Sequence, residues 1–174
     1  DIFLTTKVWY THLHYSEVIQ TLEESLRKLK TDYVDLYLIH WPSEDVPLEE
    51  TMSAMVKVKE EGKTRYIGVS NFDVPLLEKA RQISPYPILT DQVEFHPYYS
   101  QKELLNYCQK NKVILTAYSP LARRRLSGDL LLQEIGKKYG KTANQIALCW
   151  LIQQEMVAAI PKAANPEHQK ENLD

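Results

Sequence analysis

The chain has 174 residues, of which 44% are hydrophobic and 25% charged, and its formal net charge is −2. This length suits one hydrophobic core, and the charge gives no electrostatic reason to expect nucleic acid or an anionic membrane as a partner. No apolar run approaches the roughly 20 residues of a membrane-spanning helix, and two cysteines do not form a disulfide framework. A reducing, cytoplasmic location is therefore expected.

Six apolar segments rich in β-branched and aromatic residues predict β-strands. Their hydrophobicity is nearly continuous instead of alternating, which is typical of strands that are covered on both faces. The predicted strands are Ile2–Trp9, Tyr33–Trp41, Arg65–Phe72, Pro87–His96, Val113–Pro120 and Val157–Ala163.

Helix signals lie between these strands. Residues 16–29 carry an apolar stripe at helical spacing, and residues 47–61 start at a proline and stop before Gly62. Capping-box spacing marks two further helix starts, in Ser100 with Glu103 and in Thr142 with Gln145.

Strand–helix alternation predicts parallel strands joined by right-handed crossovers. A doubly wound sheet would carry G-x-G-x-x-G after its first strand, and none of the five glycines forms that motif. The pattern therefore favours a (β/α)8 barrel over a Rossmann sheet. Six strands cannot close an eight-stranded ring, so residues 1–174 are interpreted as a single, partial barrel domain.

Polar residues lie at the carboxyl ends of all six predicted strands. In a barrel these ends meet on one face, which is where active sites form. One such residue alone is at least as easily explained by a structural hydrogen bond, but six in register favour a functional site. The polar residues are Lys7, His40, Ser70, Asn71, Gln92, Glu94, His96, Tyr118, Ser119 and Lys162.

Successive motifs of the chain resemble those of the aldo-keto reductases, in the same order and with similar spacing. They read "TTKVW", "LEESLRKLKTDYVDLYLIHWP", "RYIGVSNF", "DQVEFHPY", "AYSPL" and "IPKAANPEHQKEN". The resemblance implies an α/β fold of the (β/α)8 TIM-barrel type with strands 3 to 8 present, an NADP(H) cofactor, and reduction of a small carbonyl substrate to an alcohol. The full-length protein is expected to be a monomer, and no metal site is expected because no His, Asp and Glu cluster has the spacing of metal ligands.

The resemblance assigns roles to individual residues. Lys7 and His40 match the family's catalytic lysine and histidine, and Trp9 and Trp41 are expected to line the substrate pocket. The expected cofactor-binding residues are Ser70, Asn71, Gln92, Tyr118, Ser119, Leu121, Lys162, Ala163, His168, Glu171 and Asn172.

Two positions depart from the family pattern. Ala163 stands where a serine is usual, and His168 where an arginine is usual. Arginine is permanently charged and binds phosphate through two hydrogen bonds, whereas histidine carries little charge at neutral pH. We therefore expect a weaker preference for NADPH than is usual in the family, with NAD(H) as a second cofactor.

The family's catalytic tyrosine and its aspartate fall before residue 1 when "TTKVW" is aligned with the third barrel strand. The sequence as given is therefore expected to lack both residues. Two alternatives to a working reductase stay open at this point: a non-catalytic NADP(H)-binding module, and an inactive fragment of a reductase.

Overall fold

The computed structural model describes residues 2–174, in which strands and helices alternate along the chain. The described residues form six strands: β1 (Thr5–Val8), β2 (Val34–Ile39), β3 (Thr64–Ser70), β4 (Ile88–Glu94), β5 (Ile114–Tyr118) and β6 (Val157–Ala159). They form seven α-helices: α1 (Tyr15–Leu29), α2 (Leu48–Glu60), α3 (Val74–Ile83), α4 (Lys102–Asn111), α5 (Leu130–Tyr139), α6 (Ala143–Ile152) and α7 (Pro166–Leu173). No helix in this part of the chain has the length and apolarity to cross a membrane.

The strands occupy the sheet in chain order. β1 pairs with β2, β2 with β3, and β5 with β6, and all three pairs are parallel. Every residue of β2 is buried, which explains why its sequence is nearly continuously hydrophobic instead of alternating. The parallel register sets Lys7 beside Leu38, and Leu38 beside Gly68.

The chain divides into two compact units, the first ending at Asp91 and the second comprising Gln92–Asp174. In the first unit, α1 packs its buried Val18, Leu22 and Leu26 inward. The hydroxyl of the fully buried Tyr37 donates a hydrogen bond to the carbonyl oxygen of Val18 at 2.9 Å. This bond satisfies the phenol of β2 inside the apolar core.

In the second unit, an apolar cluster joins α5, α6 and the loop that precedes α5. It consists of Ala122, Leu126, Leu132, Ala143 and Ala147. α6 begins with a complete capping box, in which the side chains of Thr142 and Gln145 each bond to the other residue's backbone N–H. The predicted start of this helix is confirmed.

The capping box predicted at Ser100 is wrong. The residue before α4 is Gln101, and no side-chain bond caps the helix there. The Gln101 side chain instead donates to the carbonyl oxygen of Glu94 at 3.1 Å, which ties the start of α4 to the end of β4. The sequence interpretation also omitted α3 and α5, although Asp73 and Asp129 cap them by accepting backbone N–H bonds.

Candidate active site

Lys7 lies on β1, next to the point where β1 and β2 end. Parallel pairing continues past the strands, because the backbone N–H of His40 donates to the carbonyl oxygen of Val8 at 3.0 Å. The Lys7 side chain is half-buried, and this burial lowers its pKa below the usual value for lysine. Burial removes water from the charged ammonium form and so makes it less favourable than it is in solvent.

His40 directly follows the fully buried strand β2. Its ring contacts Trp9 edge-on, with 4.9 Å between ring centroids and an interplanar angle of 80°. Burial lowers the pKa of His40 below its usual value, and the nearby positive charge of Lys7 lowers it further. The imidazole is therefore neutral at pH 7, with one ring nitrogen carrying a proton that it can donate.

Ser70 and Asn71 stand at the end of β3. Asn71 has a left-handed backbone conformation with φ of 63°, which asparagine tolerates better than most residues. Its Nδ2 donates to the carbonyl oxygen of His40 at 2.9 Å and to Oγ of Ser70 at 3.0 Å. The Asn71 amide thus joins the end of β3 to the end of β2. It also brings the Ser70 hydroxyl and its own carbonyl oxygen close to the backbone of His40.

In the second unit, Gln92 is buried on β4 and Tyr118 ends β5. The carbonyl oxygen of Tyr118 accepts the backbone N–H of Phe95 at 3.4 Å. Burial raises the pKa of the Tyr118 phenol, and the charge of Glu94 raises it further. The phenol therefore stays protonated at physiological pH.

The loop after Tyr118 has an unusual backbone. Ser119, Ala122, Arg123 and Arg124 all have positive φ, between 48° and 74°, although none is glycine. Such conformations are strained and cluster at ligand-binding sites. Leu121 lies within this loop and is half-buried.

The final helix, α7, begins at Pro166. Asn165 caps α7 by accepting the backbone N–H of Glu167 at 2.8 Å, and a proline follows at the first helical position. Gln169 reaches back and donates to the carbonyl oxygen of Ala163 at 2.9 Å. Lys162 and His168 are both exposed to solvent beside this helix start.

Glu171 and Asn172 lie half-buried near the end of α7. The carboxylate of Glu171 accepts a hydrogen bond from the hydroxyl of Thr142 at 2.6 Å, and its carbonyl oxygen accepts from Gln145 at 3.0 Å. Glu171 therefore also joins α7 to the start of α6, a structural role that the sequence did not indicate.

The first unit brings Lys7, His40, Ser70 and Asn71 together at the carboxyl ends of three neighbouring strands. Of the two predicted pocket tryptophans, Trp9 contacts His40 and Trp41 is 41% exposed. The remaining predicted residues lie in the second unit, at the ends of β4, β5 and β6 and in α7. Sequence reasoning missed Asp91, whose only signal is an acidic residue inside the apolar run "PILTDQV".

The chain is similar to known reductases over its whole length. It is 38% identical to methylglyoxal reductase DkgB of Escherichia coli O157:H7, over 99% of this chain and 66% of that protein. Its fold matches the crystal structure of the thermostable aldo-keto reductase Tm1743 with a TM-score of 0.93 and 50% identity, covering 99% of this chain and 65% of that one.

An aldo-keto reductase from Klebsiella pneumoniae in complex with NADPH matches with a TM-score of 0.90 and 36% identity, covering 98% and 63% of the two chains. The chain thus spans less than two thirds of the length of these proteins. The predicted fold class, an α/β fold with the strands of a (β/α)8 barrel, is confirmed. Residues 1–174 match the aldo/keto reductase family throughout, and the chain belongs to that family.

Proposed function

We propose that this protein reduces aldehydes or ketones to alcohols with NADPH, and that Lys7 and His40 act at the reacting carbonyl. The proposal rests on one observation: Lys7, His40 and Asn71 lie close together at the carboxyl ends of β1, β2 and β3. Family membership supports the reaction type. The relative named methylglyoxal reductase suggests small reactive aldehydes as first test substrates.

The chemistry follows from the protonation states of the two residues. A carbonyl carbon that accepts hydride leaves negative charge on its oxygen, so fixed hydrogen-bond donors aimed at that oxygen lower the barrier. Neutral His40 donates one such hydrogen bond. The Lys7 ammonium adds a positive field, which is strong because the side chain is half-buried and poorly screened.

The cofactor supplies the hydride when it is bound, and the residues of this chain fit its nicotinamide end. A carboxamide offers one acceptor and one NH₂ donor, and hydroxyl and amide side chains complement both. In the first unit, Ser70 and Asn71 present these groups next to His40, and in the second unit Gln92 carries an amide of the same kind. Tyr118 provides an aromatic face of the kind that stacks on a flat ring.

The phosphate end fits the start of α7. A helix N-terminus exposes unpaired N–H groups and the positive end of the helix dipole, both of which favour anions. Lys162 adds a positive charge next to this position, and the exposed His168 lies in the first turns. A 2′-phosphate would be held there more weakly than by an arginine at position 168, because arginine is always charged and forms paired bonds.

Replacement of His40 tests the catalytic proposal. We expect His40→Gln in the full-length protein to lower kcat for methylglyoxal reduction by about 10²–10³-fold, the usual loss for one oxyanion donor. The control is His12→Gln, which changes an exposed histidine in the first unit. NADPH binding, followed by its fluorescence, should be unchanged in both variants. Full activity in His40→Gln, or NADPH binding by the wild type with no turnover of any carbonyl substrate, contradicts the proposal.

Replacement of His168 tests the cofactor preference. His168→Arg is expected to raise the ratio of NADPH to NADH affinity at least about tenfold, since one charge-assisted bond contributes about 1.5–3 kcal/mol. His12→Arg makes the same change far along the chain and should leave the ratio unaltered. An unchanged ratio in His168→Arg would remove this residue from the phosphate site.

A further inference from the structure

Asp91 is a buried acid with no role in the chemistry proposed above. It lies on β4 between the buried residues Thr90 and Gln92, and none of its surface is exposed to solvent. Successive side chains of a strand point to opposite faces. Since the Thr90 side chain lies close to Gly68 of β3, Asp91 faces the other side of the sheet.

The contacts of Asp91 lead to the loop between β3 and α3. Its Oδ1 accepts a long hydrogen bond, of 3.5 Å, from the backbone N–H of Phe72. Its Oδ2 is buried and has no hydrogen-bond partner among residues 2–174. Phe72 is itself 2% exposed and directly follows Asn71, the residue with the left-handed backbone. The carboxyl group therefore contacts the loop immediately after Asn71.

We propose that Asp91 is a positioning residue for the cofactor site: its carboxyl group supports the loop of residues 70–73 and so keeps Asn71 in the geometry that meets the nicotinamide carboxamide. The proposal rests on the proposed function for the identity of the ligand. Support of the loop is a property of the protein without ligand, and it can be measured separately.

The protonation state of Asp91 makes this support depend on pH. Burial raises the pKa of Asp91 to about 8; the Phe72 N–H opposes this shift, and the charge of Asp73 adds to it. Asp73 lies at the start of α3, where its side chain accepts the N–H of Leu76 at 2.9 Å. Near pH 7 Asp91 is neutral. Its ionisation adds a negative charge that is fully buried and lies near the charge of Asp73, so hydration of the carboxylate requires the loop to open.

Cofactor binding should therefore weaken as the pH rises through 8. If the supported loop requires the neutral acid, the dissociation constant for NADPH rises about tenfold between pH 7 and pH 9 in the full-length protein. The variant Asp91→Asn keeps the size and the acceptor but cannot ionise, so its dissociation constant should lack this rise. Asp32→Asn, at an exposed position, is the control and should behave as the wild type. The same tenfold rise in Asp91→Asn would overturn the proposal.

Two measurements on the protein without NADPH test the support of the loop by itself. In carbon NMR the Asp91 carboxyl should titrate near pH 8, and the hydrogen-exchange protection of the Phe72 amide should fall over the same range. Titration of Asp91 below pH 5 overturns the proposal. If NADPH does not bind at any pH, the proposed function fails, while these two measurements still decide whether Asp91 supports the loop.

A second variant keeps the test open if Asp91→Asn does not fold. Asp73→Asn retains a good helix cap but removes the neighbouring charge that raises the pKa of Asp91. Asp91 should then ionise at lower pH, and the loss of NADPH affinity should move to lower pH with it. A loss that stays at the wild-type pH contradicts the proposal.

Discussion

Gly68 offers a sharp test of how closely the strands of the first unit pack. It lies in the middle of β3, beside Leu38 of β2 and close to Thr90 of β4. A Cβ atom at this position would lie 2.7 Å from Cδ2 of Leu38 and 2.8 Å from the carbonyl oxygen of Thr90. Both distances are shorter than a Cβ atom tolerates, and the second is to a backbone oxygen, which cannot rotate away.

The variant Gly68→Ala should therefore be destabilised by about 1–3 kcal/mol, the usual cost of overpacking a core. For a protein of roughly 150–250 residues, this corresponds to a drop in melting temperature of about 2–4 °C per kcal/mol. NADPH affinity at 25 °C should also fall, because Gly68 lies two residues before Ser70 and a displaced β3 moves the end of the strand.

The matched control is Gly128→Ala. An added Cβ there meets no atom within 4 Å, and the residue is exposed. Its unfolding free energy, from urea denaturation, should stay within about 0.5 kcal/mol of the wild type, as for most surface changes. Equal stability of the two variants would refute the reasoning, because it would mean that β3 does not approach Thr90 as closely as described.

Three further substitutions test other parts of the structure. Lys7→Met should raise the pKa of His40, measured by NMR of its ring protons, because the positive charge that lowers it is removed; an unchanged value would show that Lys7 does not act on His40. Tyr37→Phe should cost about 1 kcal/mol in urea denaturation through loss of the buried hydrogen bond to the carbonyl oxygen of Val18, whereas Tyr139→Phe, on an exposed residue, should cost nothing measurable. Thr142→Ala should cost about 1 kcal/mol through loss of the α6 cap, and a wild-type melting temperature would refute this.

The elements that the sequence predicts well are those with a local cause. Apolar runs located all six strands, and polar residues at their carboxyl ends pointed to Lys7, His40 and Asn71 as candidates. The starts of α3 and α5 also had local signals, in Asp73 and Asp129, which the interpretation did not use. The error at Ser100 has a different origin. Ser100 and Glu103 have the spacing of a capping box, but the residue before α4 is Gln101, one position later.

Other features have no local signal because they depend on which segments lie opposite one another. The close approach at Gly68 follows from strand register, and glycine in a strand has several possible causes. The left-handed conformations of Ser119 and Arg123 occur in residues that do not favour them, so only the folded loop reveals them. The burial of Asp91 likewise follows from the loop that covers it.

The pKa shifts of Lys7, His40 and Asp91 share one main physical cause. Burial disfavours charge, so it lowers the pKa of Lys7 and of His40 and raises that of Asp91. The consequences for stability differ in sign. Between roughly pH 4 and 8 the folded state holds a proton on Asp91 that the unfolded state has lost, so this residue's contribution to stability falls as the pH rises. Lys7 acts in the opposite direction at higher pH, because the folded state releases its proton first. Partial burial of Lys7 and His40 thus works against charge at the ends of β1 and β2, and a charge that forms there during a reaction is screened less than in water.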